Sequence, residues 1–193
     1  VAISVKTICA FCSSSDAVAP EYFDAARELG ALFAQRGITL VYGGGNVGLM
    51  GALARSVHAG GGKVIGVIPS ALRDLELAYT EADELIVTKD LRERKAIMES
   101  YADAFVALPG GYGTLEEMIE VLTLKQLRFH DKPLVFLNTA AFYSHLHAFF
   151  EHLYEHHFAK PKSRELYCFV DRPADVLECL DRWESTPAGT KWY

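Results

Sequence analysis

Seven short runs along the chain are dense in Val, Ile, Leu and Phe: residues 5–11, 38–42, 63–68, 84–88, 103–108, 133–137 and 166–170. Most show little alternation of apolar and polar positions, as in parallel strands buried on both faces. Between them lie stretches with helical periodicity. Residues 21–35 place Phe23, Ala26, Leu29, Leu32 and Phe33 on one stripe. Further helices are predicted over residues 48–58, 91–101, 114–127, 140–157 and 173–183. This strand–helix alternation predicts an α/β fold, a Rossmann-like doubly wound parallel sheet of about seven strands with helices on both faces and right-handed crossovers. Ligands in such sheets sit beyond the carboxyl ends of the strands, so the loops leaving the strands are where chemistry is expected.

Composition narrows the field. A length of 193 residues suits one domain, read here as residues 1–183. Residues 184–193 form a tail whose Trp192 and Tyr193 are candidates to dock on the domain or on a partner. Half the residues are hydrophobic and 23% are charged, which fits a globular chain. The formal net charge of −6 argues against a nucleic-acid partner but leaves a small anionic ligand open, because a few local donors suffice to hold a phosphate. No apolar run reaches the roughly 18 residues of a membrane span, and no signal-peptide pattern opens the chain, which begins at Val1. A cytoplasmic protein with no membrane partner is expected. The four cysteines, Cys9, Cys12, Cys168 and Cys179, are too few for a disulfide scaffold, and a reducing compartment is the default. Cys9-x-x-Cys12 lies in or at the end of a strand and is read as a buried structural pair. Cys168 and Cys179 are too widely spaced to complete a zinc site with it, so no metal is expected there.

Three stretches carry candidate chemistry. Gly43-Gly44-Gly45-Asn46-Val47-Gly48-Leu49-Met50-Gly51 joins the second strand to a helix and contains G-x-G-x-x-G. The next strand ends Ile68-Pro69-Ser70 with no acid for a ribose hydroxyl, so a dinucleotide-dependent oxidoreductase is disfavoured. A tight turn, or a bare backbone that a nucleotide approaches closely, remain as readings. Pro109-Gly110-Gly111-Tyr112-Gly113-Thr114-Leu115-Glu116-Glu117 also joins a strand to a helix, and its helix N-terminus is a ready phosphate site. Thr114 is placed to cap that helix or to meet a phosphate oxygen. Thr114-x-x-Glu117 has the spacing of a capping box. Alternatively, Glu117 is the carboxylate that a cationic, oxocarbenium-like sugar requires. In Leu91-Arg92-Glu93-Arg94-Lys95, behind Asp90 as the expected N-cap, three cations crowd a helix start where the dipole disfavours them. They are either a solvated face or a cluster offset by an anion. A histidine-rich segment (His145, His147, His152, His156, His157) borders an apolar helix face of Phe142, Leu146, Phe149 and Leu153. His152 and His156 have the spacing to share a metal, but a boundary stripe is the favoured reading. The same helix, with Phe149, Phe150 and Tyr154, is a candidate partner surface.

Taken together, these stretches resemble the LONELY GUY (LOG) family of nucleotide phosphoribohydrolases, long labelled "lysine decarboxylase-like". Residues 109–117 match its P-G-G-x-G-T-x-x-E signature in full. The loop at 43–51, Val67-Ile68-Pro69, Glu76 and Lys191-Trp192 also look like the family. Two positions depart from it. Leu91-Arg92 stands where Met-His is usual, and Ser13 stands where a glycine is common. The resemblance implies hydrolysis of the N-glycosidic bond of an adenosine 5′-monophosphate, plain or N6-modified, to free base and ribose 5-phosphate, without a cofactor. It implies Arg94 and Glu117 as catalytic residues. It implies a substrate and phosphate set of Ser13, Gly43, Gly44, Gly45, Glu76, Lys95, Gly110, Gly111, Gly113 and Thr114, and a homodimer. The alternative is a non-catalytic protein that binds or carries a nucleotide or molybdenum cofactor.

Overall fold

The computed structural model describes residues 5–75 and 77–184. Glu76 and the tail residues Lys191, Trp192 and Tyr193 lie outside them. Seven strands form one parallel sheet: β1 (Thr7–Phe11), β2 (Thr39–Tyr42), β3 (Val64–Pro69), β4 (Glu84–Thr88), β5 (Ala104–Ala107), β6 (Leu134–Leu137) and β7 (Cys168–Val170). The helices are α1 (Pro20–Gln35), α2 (Gly48–Ala59), α3 (Ser70–Arg73), α4 (Leu91–Tyr101), α5 (Tyr112–Gln126), α6 (Ser144–Glu155) and α7 (Pro173–Asp181). The strand order is β4-β3-β2-β1-β5-β6-β7. The chain therefore winds outward from β1 to β4, returns to the middle, and winds the other way through β5, β6 and β7. The reversal falls between β1 and β5, which pair in register from Ile8↔Ala104 to Phe11↔Ala107.

Successive residues of each central strand point to opposite faces, and each face has its own core. Ile8, Ala10, Leu40, Val106 and Val135 pack under α1, α2 and α7 through Leu29, Phe33, Leu53 and Leu177. Cys9, Phe11, Val41, Phe105 and Phe136 pack under α4, α5 and α6 through Met98, Met118, Val121, Phe150 and Tyr154. This explains why the strand sequences show no alternation: both faces are dry. Cys9 and Cys12 are free and buried, and burial pushes both thiols up, as suits a structural pair.

Three readings need correction. The helix expected over 140–157 is interrupted. A 3₁₀ turn at Thr139–Ala141 carries positive φ at Ala140 and Ala141, and α6 proper begins at Ser144. The Asn138 side chain accepts from the Tyr143 N–H at 2.7 Å and fixes this corner. Phe150 and Tyr154, expected at a partner surface, are buried in the chain's own core, whereas Phe149 is exposed. Finally, Cys168 and Cys179 are joined by a disulfide. Only 11 positions apart in sequence, the two cysteines form a local staple of α7 to the sheet edge rather than a scaffold. None of the described helices is long and apolar enough to cross a membrane.

Candidate functional site

The winding direction reverses between β1 and β5, and in doubly wound sheets ligands bind beyond the strand ends at such a reversal. The two strand ends are held together: Leu108 N–H donates to the Phe11 carbonyl at 2.9 Å and Ser13 N–H to the Pro109 carbonyl at 3.2 Å. The Tyr143 hydroxyl donates to the Leu108 carbonyl at 2.6 Å from the α6 side.

The chain leaves β5 through Pro109-Gly110-Gly111 and enters α5 at Tyr112, with Gly111 as N-cap and no side chain capping it. The capping box is thus not formed. Thr114 lies in the first turn and Glu117 in the second, too far along to bond back to the cap. Thr114 is instead drawn down onto Gly110, where a Cβ would lie 2.1 Å from its Oγ1. Gly110 is therefore a packing requirement of the turn. Gly111 and Gly113 differ: a Cβ on either would meet no protein atom within 4 Å. Within the helix, at Gly113, propensity disfavours glycine by about 1 kcal/mol relative to alanine, whereas at the N-cap, Gly111, glycine is well tolerated. What glycine supplies is close access to the positive end of α5, the place where an anion is best held. Gly113→Ala is accordingly expected to leave the melting temperature unchanged or raised while raising KM for a nucleotide about tenfold. An unchanged KM would move the phosphate elsewhere.

Glu117 points inward and meets Arg94. The start of α4 sets this meeting. The Asp90 carboxylate accepts from Arg92 N–H and Glu93 N–H, both at 2.9 Å, and Glu93 accepts from Lys89 N–H at 2.8 Å. With that cap fixed, Arg94 falls one turn into α4 on the side facing α5, and its Nη2 donates to Glu117 Oε1. The side chains of Arg94 and Glu117 are only 14% and 9% exposed. Burial pushes the Glu117 carboxyl above the ordinary carboxylate range, against the pull of the Arg94 guanidinium. Arg94 Nε is buried and meets no acceptor among the described residues. Such a donor costs on the order of 1–3 kcal/mol unless something accepts from it.

The other cations of this helix are not gathered into the same place. Lys95 Nζ bridges Glu116 and Glu120 on the outer side of α5. Two of the three cations crowding the α4 start, Arg94 and Lys95, are thus paired with carboxylates of α5.

The loop after β2 closes over Arg94: a Cβ on Gly43 would lie 3.3 Å from its Nη1. Gly44 and Gly45 pair with the segment before β4, with Tyr79 N–H donating to the Gly44 carbonyl at 2.8 Å and Gly45 bridged to Ala78. Tyr79 is fixed in turn by His58 Nδ1 at 2.8 Å, and the other His58 nitrogen meets Asp83 at 2.9 Å. The N-terminus of α2 is already filled. Gly48 N–H donates to Asp16 Oδ1 at 2.8 Å, and Leu49 N–H donates to the Ser13 carbonyl at 2.9 Å. Gly48 (φ +60°) lies so close to residues 13–15 that a Cβ would sit 2.5 Å from the Ser14 carbonyl carbon. The G-x-G-x-x-G stretch is thus a packing device, and the dinucleotide reading fails because a carboxylate stands where a pyrophosphate would bind. Asp16, which the sequence analysis did not single out, does this from 32 positions away. Its only local mark is its place in the serine-rich loop after β1.

Of the residues singled out, Arg94, Glu117 and Gly43 meet one another, and the turn at 110–114 leads into the helix that carries Glu117. Ser13, after β1, joins the β5 loop and the start of α2 through its backbone.

Comparison with known proteins now adds to this geometry. The family model described as "Possible lysine decarboxylase" matches residues 50–180. The chain is 43% identical over 178 residues to the cytokinin riboside 5′-monophosphate phosphoribohydrolase LOG3 of Arabidopsis thaliana, covering 92% of this chain and 83% of that one. It is 42% identical over 191 residues to a probable enzyme of the same name, LOGL2, from Oryza sativa subsp. japonica, covering 97% and 78%. Among solved structures, the molybdenum cofactor carrier protein of Chlamydomonas reinhardtii superposes with a TM-score of 0.71 at 24% identity, over 93% of this chain and 98% of that one. The molybdenum cofactor binding protein of Rippkaea orientalis gives 0.70, also at 24% identity, over 91% and 95%.

Proposed function

We propose, from the premise that this chain belongs to the LONELY GUY family, that it hydrolyses the N-glycosidic bond of an adenosine 5′-monophosphate, plain or N6-modified as in a cytokinin riboside monophosphate, to the free base and ribose 5-phosphate. The observation that carries this reading is the buried Arg94–Glu117 pair set beside the uncapped, glycine-lined start of α5 at the sheet's reversal point. A site that only held phosphate would gain nothing from a carboxylate beside the anion. A site that builds positive charge on a ribose ring needs one. The carrier alternative has no comparable support, since those structures share the fold at 24% identity, while the phosphoribohydrolases are 42–43% identical over nearly the whole chain.

In this reading the 5′-phosphate sits on the N–H groups of residues 111–114 at the α5 terminus. It is remote from the anomeric carbon, so its binding energy serves to position the sugar. The Glu117 carboxylate faces the sugar ring, stabilises the developing oxocarbenium charge and accepts a proton from the attacking water. A carboxyl held above its ordinary range is the better proton acceptor for that step. Arg94 holds Glu117 in place with one nitrogen and offers its unpartnered Nε to an oxygen of the substrate.

The deciding experiment is base release from AMP and from N6-isopentenyl AMP, followed by chromatography, with adenosine as the control. Release from a nucleotide at least a hundredfold faster than from adenosine is expected. Equal rates on AMP and adenosine would remove the phosphate from the mechanism. Binding of nucleotide without release would favour a carrier. The protein is further proposed to be a homodimer. An open groove of about 510 Å³ runs along α5, lined by Leu115, Ile119 and Leu124 together with Thr123, Glu116 and Glu120, and Phe129 stands 75% exposed in the turn after α5. Sedimentation is expected to give twice the chain mass of 21.3 kDa, and a monomer at working concentration refutes it.

A further inference from the structure

The last turn of α6 carries a cluster with no part in the site above. His152, Glu155 and His156 are all exposed, and one ligand atom from each lies within 4.8 Å of the others. Positions i, i+3 and i+4 fall within about 100° of one another around a helix, so the three project from one side. The two imidazole rings stand 4.2 Å apart between centroids, and His152 Nδ1 lies 4.0 Å from Glu155 Oε2. Two other histidines are committed elsewhere. His58 bridges Tyr79 and Asp83, and His130 bonds the Val121 carbonyl. His152 and His156 lie side by side at the surface with the Glu155 carboxylate next to them.

We propose that His152, Glu155 and His156 form a surface site for a divalent transition-metal ion of the zinc type. The donor set carries this choice. Two imidazole nitrogens and one carboxylate oxygen suit Zn²⁺, Ni²⁺ or Cu²⁺, whereas Mg²⁺ and Ca²⁺ take oxygen cages. Donors bonded to one zinc ion at about 2.0–2.1 Å stand roughly 3.3 Å apart in a tetrahedron. Small rotations of exposed side chains reach that from the present separations. The helix dipole adds to the attraction, because these residues occupy the C-terminal turn, where a cation is stabilised. The net charge of −6 acts in the same sense. Three protein ligands leave a coordination position for water or for a donor from another molecule. The site lies on a different helix from Arg94 and Glu117 and takes no part in the hydrolysis.

The test is titration of the untagged full chain with Zn²⁺ in competition with a chromophoric chelator of micromolar affinity. One equivalent is expected to bind. His152→Ala and His156→Ala should each weaken binding at least tenfold, and Glu155→Gln should weaken it several-fold. The double variant His152→Ala/His156→Ala should lose the equivalent altogether. All these side chains are solvent-exposed, so melting temperature and AMP turnover should match the parent and serve as controls. Failure of the parent chain to take zinc from the chelator overturns the proposal. So does undiminished binding by the double variant.

Discussion

Glu117→Gln is expected to lower kcat for base release by about 10³-fold, with KM changed only a few-fold. The substitution keeps the shape of the side chain and leaves an oxygen to accept from Arg94, so the α4–α5 contact persists. What disappears is the negative charge facing the sugar and the capacity to take a proton. On the proposed function the phosphate rests at the start of α5, which the substitution leaves intact, so AMP should still raise the melting temperature of the variant. The pH profile gives a second readout. Burial pushes Glu117 above the ordinary carboxylate range, so the acid limb of kcat should lie above the usual glutamate value of about 4.3 and vanish in the variant. A kcat within tenfold of the parent would demote Glu117 to a partner of Arg94 with a role in packing alone.

The architecture could be read from the chain because both faces of its sheet are buried. Strand 84–88 and helix 91–101 occur as expected, and the remaining strand boundaries shift by three residues or fewer. The period of apolar residues and the Asp90 cap are local signals, and local signals suffice for them. The failures have different causes. At the start of α5, Thr114 and Glu117 have the spacing of a capping box, which left two readings of Glu117 open. The turn is decided by Thr114 packing on Gly110, and no spacing rule reports that contact. The break before α6 falls at Ala140 and Ala141, residues that ordinarily favour helix, and is imposed by the corner that Asn138 ties. The candidate site was legible as a set of residue types but not as a set of partners. Arg94 meets Glu117 across 23 positions, and Asp16 fills the end of α2 across 32. Both contacts follow from which strands lie side by side, and only the sheet order supplies that. Lys95 illustrates the same point. It neighbours Arg94 in sequence, yet the 100° step around α4 sends it to Glu116 and Glu120.

Arg94→Ala tests whether the site carries a charge that the fold must support. Removing one partner of a buried ion pair is costly because the other is left uncompensated, typically by about 3–5 kcal/mol. Glu117 would then keep its burial and lose the guanidinium that now opposes it, so its carboxyl would rise further above the ordinary range. The sign of the pH dependence follows. Between the unfolded value near 4.3 and the raised folded value, the native state binds more protons than the unfolded state, so stability falls as pH rises. Arg94→Ala should therefore be about 3–5 kcal/mol less stable than the parent at pH 7 by denaturant unfolding. The deficit should shrink as pH is lowered toward 5, opposite to the usual loss of salt-bridged proteins in acid. Adding Glu117→Gln to Arg94→Ala should recover most of the deficit at pH 7, because the uncompensated charge is gone, while leaving the protein without turnover. A deficit that persists at pH 5, or a double variant no more stable than Arg94→Ala, would mean that the guanidinium acts by packing and that Glu117 is not held as a strained charge. The recovery expected in the double variant separates the two demands on this pair. Stability asks only that the carboxylate be neutralised, and catalysis asks that it remain.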